Sequence, residues 1–331
     1  MKKEIINIAF AGLRHIHIFD LFKMAMENPH YNIIGAFESD ENAKKVAEEN
    51  GVICNYDSYD DLLADKNLDV VALGGYYGQR GEMAIRALKS GKHVMADKPL
   101  CTDLDTLNEI EKLSKEKGLI VSCMFTMRFE KKINAVKKLV ESGKLGEINN
   151  VYFGGQHPLQ YGRRPMWYFE DGKHGGVIND IAIHGIDILS YALGLEVKKI
   201  LSARCWNKFA EKEPQFKDCG QFMLTANNGA GIIADVSYAI PDGVEFALPY
   251  YWQFYVWGTK GTIRFSLNEE KTYYYTEGTT MPTLLDEAIA DVDYLTDFYD
   301  VFNGKDNVIL PMQDVLKATA TTLQIQELSL F

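Results

Sequence analysis

Residues 8–20 read IAFAGLRHIHIFD, and the fold turns on how that apolar run ends. Small and apolar residues lead into Gly12, the form taken by a first strand and the turn that bends from it into a helix. In a dinucleotide-binding turn, glycine permits the tight bend, lets the backbone approach a pyrophosphate and lets the helix pack closely on the strand. Gly12 is retained here, but Arg14 and His17 stand where such a turn wants glycine or alanine. The turn by itself is a weak signal.

Working outward, the same texture recurs. Up to about residue 122 the short apolar runs INIAFAG, NIIGAF, VVALGG, HVMA and LIVSC alternate with helical patterns such as SDENAKKVAEENG and TDLDTLNEIEKLSKEKG. Strands apolar on both faces and separated by amphipathic helices predict a parallel sheet covered on both sides, a doubly wound α/β domain. From about residue 148 the apolar segments are longer and alternate, in VKKILSARCWN, GQFMLTANNG, AGIIADVSYAI, WQFYVWG and GTIRFSLN, with turn signals at Asn228-Gly229 and Lys260-Gly261. These predict antiparallel strands. A helix over 176–193 precedes them and helices over 284–303 and 312–330 follow, giving an α+β second domain. The expected division is 1–122 and 123–331, with the last helix available to pack back on the first domain.

Composition narrows the function classes. A chain of 331 residues, 47% hydrophobic and 24% charged, has the makeup of a soluble globular protein, and no window approaches the ~20 apolar residues of a membrane span. The net charge of −11 argues against a nucleic-acid partner, which needs clustered Lys and Arg. Glu4 and Asn7 interrupt the opening apolar run, which reads as a first strand and not a leader peptide. Five cysteines without a CxxC spacing indicate neither a disulfide framework nor a zinc knuckle, so a cytoplasmic protein is expected.

Three stretches can carry chemistry. Glu38 ends the second strand, where a carboxylate accepts hydrogen bonds from an adenosine ribose and repels a 2′-phosphate, favouring NAD over NADP. In HVMADKPL, residues 93–100, a strand delivers Asp97, Lys98 and Pro99 to its carboxyl end, where open α/β sheets place their ligand crevice. A lysine there can hydrogen-bond to a reacting oxygen. In GGVINDIAIHGIDIL, residues 175–189, Asp180, His184 and Asp187 fall at i, i+4 and i+7, on one face of a helix that is apolar nearly all round. Ionisable groups on a buried helix are costly unless paired or working.

Other candidates are less specific. Tyr76 and Tyr77 lie just beyond VVALGG, where aromatic faces could meet a nicotinamide or simply pack in the core. His157, Tyr161, Arg163, Arg164 and Trp167 lie in GGQHPLQYGRRPMW, a mixture suited to a polyhydroxylated ligand and equally to packing between domains. The remaining histidines, His15, His17, His30, His93, His157 and His174, are scattered, and without HExxH no metal site is expected.

In combination, the strand and turn at Gly12, the acid Glu38, DVVALGG at 69–75, SGKHVMADKPL at 90–100, MRF at 127–129, SGKLGEI at 142–148 and GGVINDIAIHGID at 175–187 resemble the glucose-fructose oxidoreductase / inositol dehydrogenase / MocA-like family. YVWGTKGTIRF at 255–265 and DFYDVFNGKDN at 297–307 agree, so the resemblance covers nearly the whole chain. It implies a Rossmann domain followed by a domain with a large, mainly antiparallel open sheet that commonly mediates oligomers, here a homodimer or homotetramer. It also implies NAD(P)-dependent oxidation or reduction at a carbinol carbon of a sugar, cyclitol or related polyol.

The family's Glu-Lys-Pro lysine falls on Lys98, and its helix-borne aspartate and histidine fall on Asp180 and His184. Cofactor-side residues are then Gly12, Arg14, His15, Glu38, Gly75, Tyr76, Asp97 and Lys98; substrate-side residues are His157, Tyr161, Arg164, Trp167, Asp180 and His184. His184 is the expected base, Lys98 the group that polarises the oxygen, and Asp180 an orienting group, with Asp187 in support. The chain departs from the family's pattern at Arg14, Gly75, Tyr76, Gly78, Arg80 and Asp97. Arg14 is expected to lie along a pyrophosphate and replace lost glycine contacts with charge.

The preferred reading is therefore an NAD-dependent sugar or polyol dehydrogenase. Two others stay open: an enzyme that recycles the hydride on bound NAD, with net hydrolysis, elimination or epimerisation, and a non-catalytic sugar- or NAD-binding protein.

Overall fold

The computed structural model describes residues 3–290, 292–306 and 308–330. In chain order its main elements are β1 (Ile6–Leu13), α1 (His17–Glu27), β2 (Tyr31–Phe37), α2 (Glu41–Glu49), α3 (Tyr59–Ala64), β3 (Val70–Gly74), α4 (Tyr77–Lys89), β4 (His93–Ala96), α5 (Leu104–Lys117) and β5 (Val121–Cys123). Then come α6 (Lys131–Glu141), β6 (Ile148–Pro158), α7 (Ile183–Tyr191), β7 (Val197–Trp206), β8 (Cys219–Ala226), β9 (Gly231–Ile240), β10 (Gln253–Gly258), β11 (Gly261–Ser266), β12 (Tyr273–Thr276), β13 (Thr283–Leu284), α8 (Tyr294–Phe302) and α9 (Met312–Leu328). The chain divides into two compact units. One contains Met1–Phe125, Gly172–Gly175 and Val292–Thr319; the other contains Thr126–Asp171, Gly176–Asp291 and Ala320–Phe331.

The first unit holds a parallel five-stranded sheet in the order β2-β1-β3-β4-β5. Its middle strands are buried throughout, as in Val70–Leu73 and Val94–Ala96, which is why they read as unbroken apolar runs. Helix boundaries follow local chemistry. The Asp40 carboxylate caps α2 by accepting from Asn42 and Ala43 amides, Asp103 caps α5 through the Thr106 amide, and Gly118 ends α5 in the left-handed conformation. Strand order reverses between β1 and β3, which makes their carboxyl ends the switch point where open sheets bind ligands.

The second unit is built on an eight-stranded sheet, β13-β12-β11-β10-β6-β9-β8-β7. The described pairings are antiparallel except for β6 with β9, which run parallel. Gly185 lets α7 settle on this sheet: a Cβ there would lie 2.2 Å from the Phe153 ring. On the other face, cross-strand neighbours Met223, Ile233, Tyr152 and Tyr255 form a row, with Met223 and Ile233 45% and 50% exposed.

Two expectations are corrected. The helix expected over 284–303 begins only at Tyr294, because the Asp293 side chain caps it through the Thr296 amide, while Thr283 and Leu284 pair with β12. The helix expected over 176–193 opens with a π turn, Ile178–Ala182, so side-chain spacing there departs from the 3.6-residue period.

Candidate active site

At the carboxyl edge of the parallel sheet, Gly12 adopts φ +68°, and a Cβ on it would meet Gly75 Cα and N at 2.8 Å. Only glycine lets the β1 and β3 turns approach so closely. The Arg14 and His15 amides both donate to the Gly74 carbonyl at 3.0 Å. No side chain caps the start of α1, leaving the positive end of an eleven-residue helix suited to a phosphate.

Glu38, buried at the end of β2, accepts from the Leu13 amide at 2.6 Å, the Arg14 Nε at 2.8 Å and the Asp40 amide at 2.8 Å. The guanidinium of Arg14 also reaches Ser39 Oγ at 3.4 Å and Asp40 Oδ2 at 3.7 Å. Arg14, expected along a pyrophosphate, thus directs its charge to the end of β2.

Asp97 and Lys98 follow β4, both buried. The Lys98 Nζ lies 5.8 Å from the Tyr77 ring centroid, and the Lys98–Pro99 peptide bond is cis. The Asp97 carboxylate receives Arg80 Nη2 at 2.8 Å, His15 Nδ1 on the same oxygen, and His17 Nδ1 at 3.3 Å on the other. Burial alone would raise the Asp97 pKa, but Arg80 and the two imidazoles outweigh it and hold this carboxyl well below its ordinary range. Burial pushes His15 down to about 3, against the opposing pull of Asp97, so at neutral pH His15 is an uncharged donor to Asp97. Its Nε2 faces the Tyr77 hydroxyl at 3.2 Å. Tyr76 is half-buried, with Lys173 Nζ 5.1 Å from its ring centroid.

His15, His17 and Asp97 therefore are not scattered: their ligand-type atoms lie within 4.8 Å of one another. The linear spacing hid this because the strand ends that carry them converge only in the sheet. Arg80 on the same carboxylate opposes a cation there, and the contacts describe a hydrogen-bonded network.

In the second unit, Asp180 sits in the π turn and accepts a short hydrogen bond from the Tyr238 hydroxyl of β9. Burial and Asp180 together raise the Tyr238 pKa far above the ordinary phenol value, so it stays a donor. The Gln326 side chain accepts from the Ile178 and Asn179 amides at 3.0 and 3.2 Å, securing the start of the turn. His184 stands edge-on to Trp252, with centroids 5.9 Å apart.

His157 is edge-on to both Trp252 and Tyr238, and its Nε2 is 3.3 Å from the Tyr251 hydroxyl. Asp180, His184 and His157 are thus gathered around Tyr238 and Trp252. Arg164 extends its guanidinium over Tyr238, 5.1 Å from the centroid, and donates to the Leu159 and Pro158 carbonyls. Trp167 is buried against Tyr168. Tyr161 is exposed and donates to Glu213. Asp187 instead forms a buried ion pair with Arg128, Nη2 to Oδ1 at 2.6 Å.

These features fit a dinucleotide in the first unit: a glycine cradle that a Cβ would fill, an uncapped helix start and a buried acid at the end of β2. Comparison with known proteins bears on the same point. Residues 6–125 match the family described as "Oxidoreductase family, NAD-binding Rossmann fold", and residues 133–264 match the "GFO/IDH/MocA C-terminal domain". The chain belongs to the Gfo/Idh/MocA oxidoreductase family.

Within this family the chain is 26% identical over 163 residues to myo-inositol 2-dehydrogenase of Thermotoga maritima, a match covering 49% of this chain and 47% of that one. It is 28% identical over 197 residues to scyllo-inositol 2-dehydrogenase (NAD(+)) of Bacillus subtilis, covering 59% and 55%. The matched stretches thus take in about half the length of these relatives. Among solved structures, levoglucosan dehydrogenase in complex with NADH and L-sorbose superposes with a TM-score of 0.82 at 17% identity, over 99% of this chain and 97% of that one, a likeness of fold.

Residues that sequence reasoning does not single out as site residues include Arg80, Tyr238 and Trp252. In the sequence Arg80 stands out only as a departure from the family's pattern; its signal is a cation inside the otherwise apolar face of α4. Tyr238 lies in the strand pattern ADVSYAI, where alternation alone cannot mark it.

Proposed function

We propose that this Gfo/Idh/MocA chain is an NAD-dependent oxidoreductase that moves a hydride between nicotinamide and a carbinol carbon of a sugar, cyclitol or related polyol. The observation that carries this reading is Lys98: a buried ammonium at the carboxyl end of β4, on the ligand edge of a Rossmann sheet whose β1 turn fits a dinucleotide. NAD, when bound, supplies the hydride acceptor. Lys98 donates a hydrogen bond to the carbinol oxygen and stabilises the negative charge that develops on it. His184 accepts the hydroxyl proton, a task suited to an imidazole near neutral pH. Asp180, held by Tyr238, orients substrate, and His157, Arg164, Trp167 and Tyr161 contribute to its binding. Gly12, Arg14, His15, Glu38, Gly75, Tyr76 and Asp97 form the cofactor side, and the buried carboxylate of Glu38 favours NAD over NADP.

The open face of the second sheet, with Met223 and Ile233 exposed, supports self-association as a dimer or tetramer, to be checked by light scattering. No helix among the described residues is long and apolar enough to cross a membrane. Five free thiols support a reducing, cytoplasmic setting.

Incubation with NAD and a panel of sugars and cyclitols, followed by NADH absorbance, tests the reaction. NADH should form with at least one of them, and Lys98→Ala and His184→Ala should each lower turnover by about 10²-fold or more while folding is kept. Product formation without net NADH would point to hydride recycling, and failure to bind NAD(H) at all would point to a non-catalytic protein.

A further inference from the structure

Arg80 lies on α4, wholly buried, and its guanidinium is committed to two strand ends. Its Nε donates to the Gly75 carbonyl at 2.8 Å, just after β3. Its Nη1 donates to the carbonyls of Asp97 at 3.0 Å, Lys98 at 2.5 Å and Pro99 at 3.2 Å, and its Nη2 to the Asp97 carboxylate at 2.8 Å. Three successive carbonyls and the side chain of the first residue therefore converge on one planar cation. Tyr77, one turn earlier on α4, lies beneath both cations of the region: its ring centroid is 4.7 Å from the Arg80 Cζ and 5.8 Å from the Lys98 Nζ. Asp97 is further tied through His15 to the β1 turn.

A buried ion pair alone contributes little net stability. What distinguishes this arginine is the direction of its other donors, which grip the backbone of the residue on either side of Lys98 and of Lys98 itself. A guanidinium offers a rigid fork of five N–H donors, whereas an ammonium is a point charge on a flexible stem. Arg80 fixes the Lys98 main chain relative to Gly75, so that the lysine leaves the sheet edge at a set position.

We infer that Arg80 is the positioning residue for Lys98, registering the Asp97–Pro99 segment against the β3 turn. This rests on the reading of Lys98 as the group that acts on the carbinol oxygen. A loss of alignment of about 1 Å at a reacting group costs on the order of 10²-fold in rate.

The test is Arg80→Lys, which keeps the charge beside Asp97 and loses the fork, compared with wild type and with Lys98→Met in the intact chain. Two readouts are used. In the first, kcat and KM are measured with whichever polyol reduces NAD: kcat should fall about 10- to 100-fold with KM for NAD changed less than about threefold. In the second, which needs no substrate, the rate of Lys98 acetylation by acetic anhydride is followed by peptide mass spectrometry. The buried amine should be protected in wild type and label several-fold faster in Arg80→Lys, with unfolding midpoints compared alongside.

Wild-type labelling of Lys98 together with an unchanged kcat in Arg80→Lys would overturn the inference. Faster labelling with no polyol oxidation by wild type would leave the positioning role standing and overturn the proposed reaction. Unchanged labelling and unchanged kcat in Arg80→Lys, with wild type active, would overturn the positioning role and leave the proposed reaction standing.

Discussion

Arg14 and Glu38 are joined by an Nε to Oε1 bond of 2.8 Å that links the turn after β1 to the end of β2. The residue that breaks the glycine pattern is thereby held by the residue that would meet the ribose. Glu38 also accepts from the Leu13 and Asp40 amides, so one carboxylate organises both strand ends.

Glu38→Ala should therefore weaken NADH binding by about tenfold or more, since hydrogen bonds to a charged group contribute about 1.5–3 kcal/mol each. It should also narrow the preference for NAD over NADP. Fluorescence titration with both cofactors checks this; equal affinities in wild type and variant would remove Glu38 from the cofactor side.

Gly12→Ala places a methyl 2.8 Å from the Gly75 backbone at φ +68°, a conformation that side-chain-bearing residues resist. NADH affinity should fall at least about tenfold, with the circular dichroism of the folded chain retained. An alanine variant that binds NADH normally would show that the close turn approach is dispensable.

Acid sensitivity follows from His15. Its folded pKa of about 3 lies below the ordinary 6.5, so between these values the unfolded chain binds a proton that the folded chain does not. Stability from this group is full above about 6.5 and falls as pH drops toward 3, by up to about 1.4 kcal/mol per unit. Asp97, also held low, adds a loss of the same sign at more acidic pH. Urea unfolding at stepped pH should show the decline, and His15→Gln should flatten its upper part. A wild-type profile flat from neutrality to mild acid would contradict a neutral, buried His15.

In the second unit, removing one partner of the buried Arg128–Asp187 pair strands a charge. Arg128→Met should cost about 3–5 kcal/mol, and the double variant Arg128→Met with Asp187→Leu should recover most of that loss. The double-mutant cycle in urea is the measurement; additive losses would mean that the two side chains are independent.

The parallel sheet is plain in the sequence because its middle strands are buried on both faces, and INIAFAG or VVALGG has no other economical reading. Glu38, Lys98, Asp180 and His184 are legible because each falls at a strand end or on an apolar helix. Less is visible where structure depends on distant partners. Strand β6, INNVYFGGQHP, carries two glycines and polar interruptions, and its ladder partners are β9 and β10. The π turn at 178–182 alters a spacing that helical periodicity takes as fixed. The joining of His15, His17, Arg80 and Asp97 needs the sheet to be assembled, so no local window contains it.

The parallel pairing of β6 with β9 has a kinetic consequence. Strands β7 to β9 form one local antiparallel run and β10 to β13 another, and the two meet only through β6, whose Asn150 is in register with Gly231. Each run can zip up through connections of about twelve residues or fewer, but closing the sheet requires a loop spanning the intervening chain, and such non-local closures slow folding. Refolding should thus show early strand formation followed by a slower phase in which β6 docks, and substitutions in β6 such as Phe153→Leu should act mainly on that later phase.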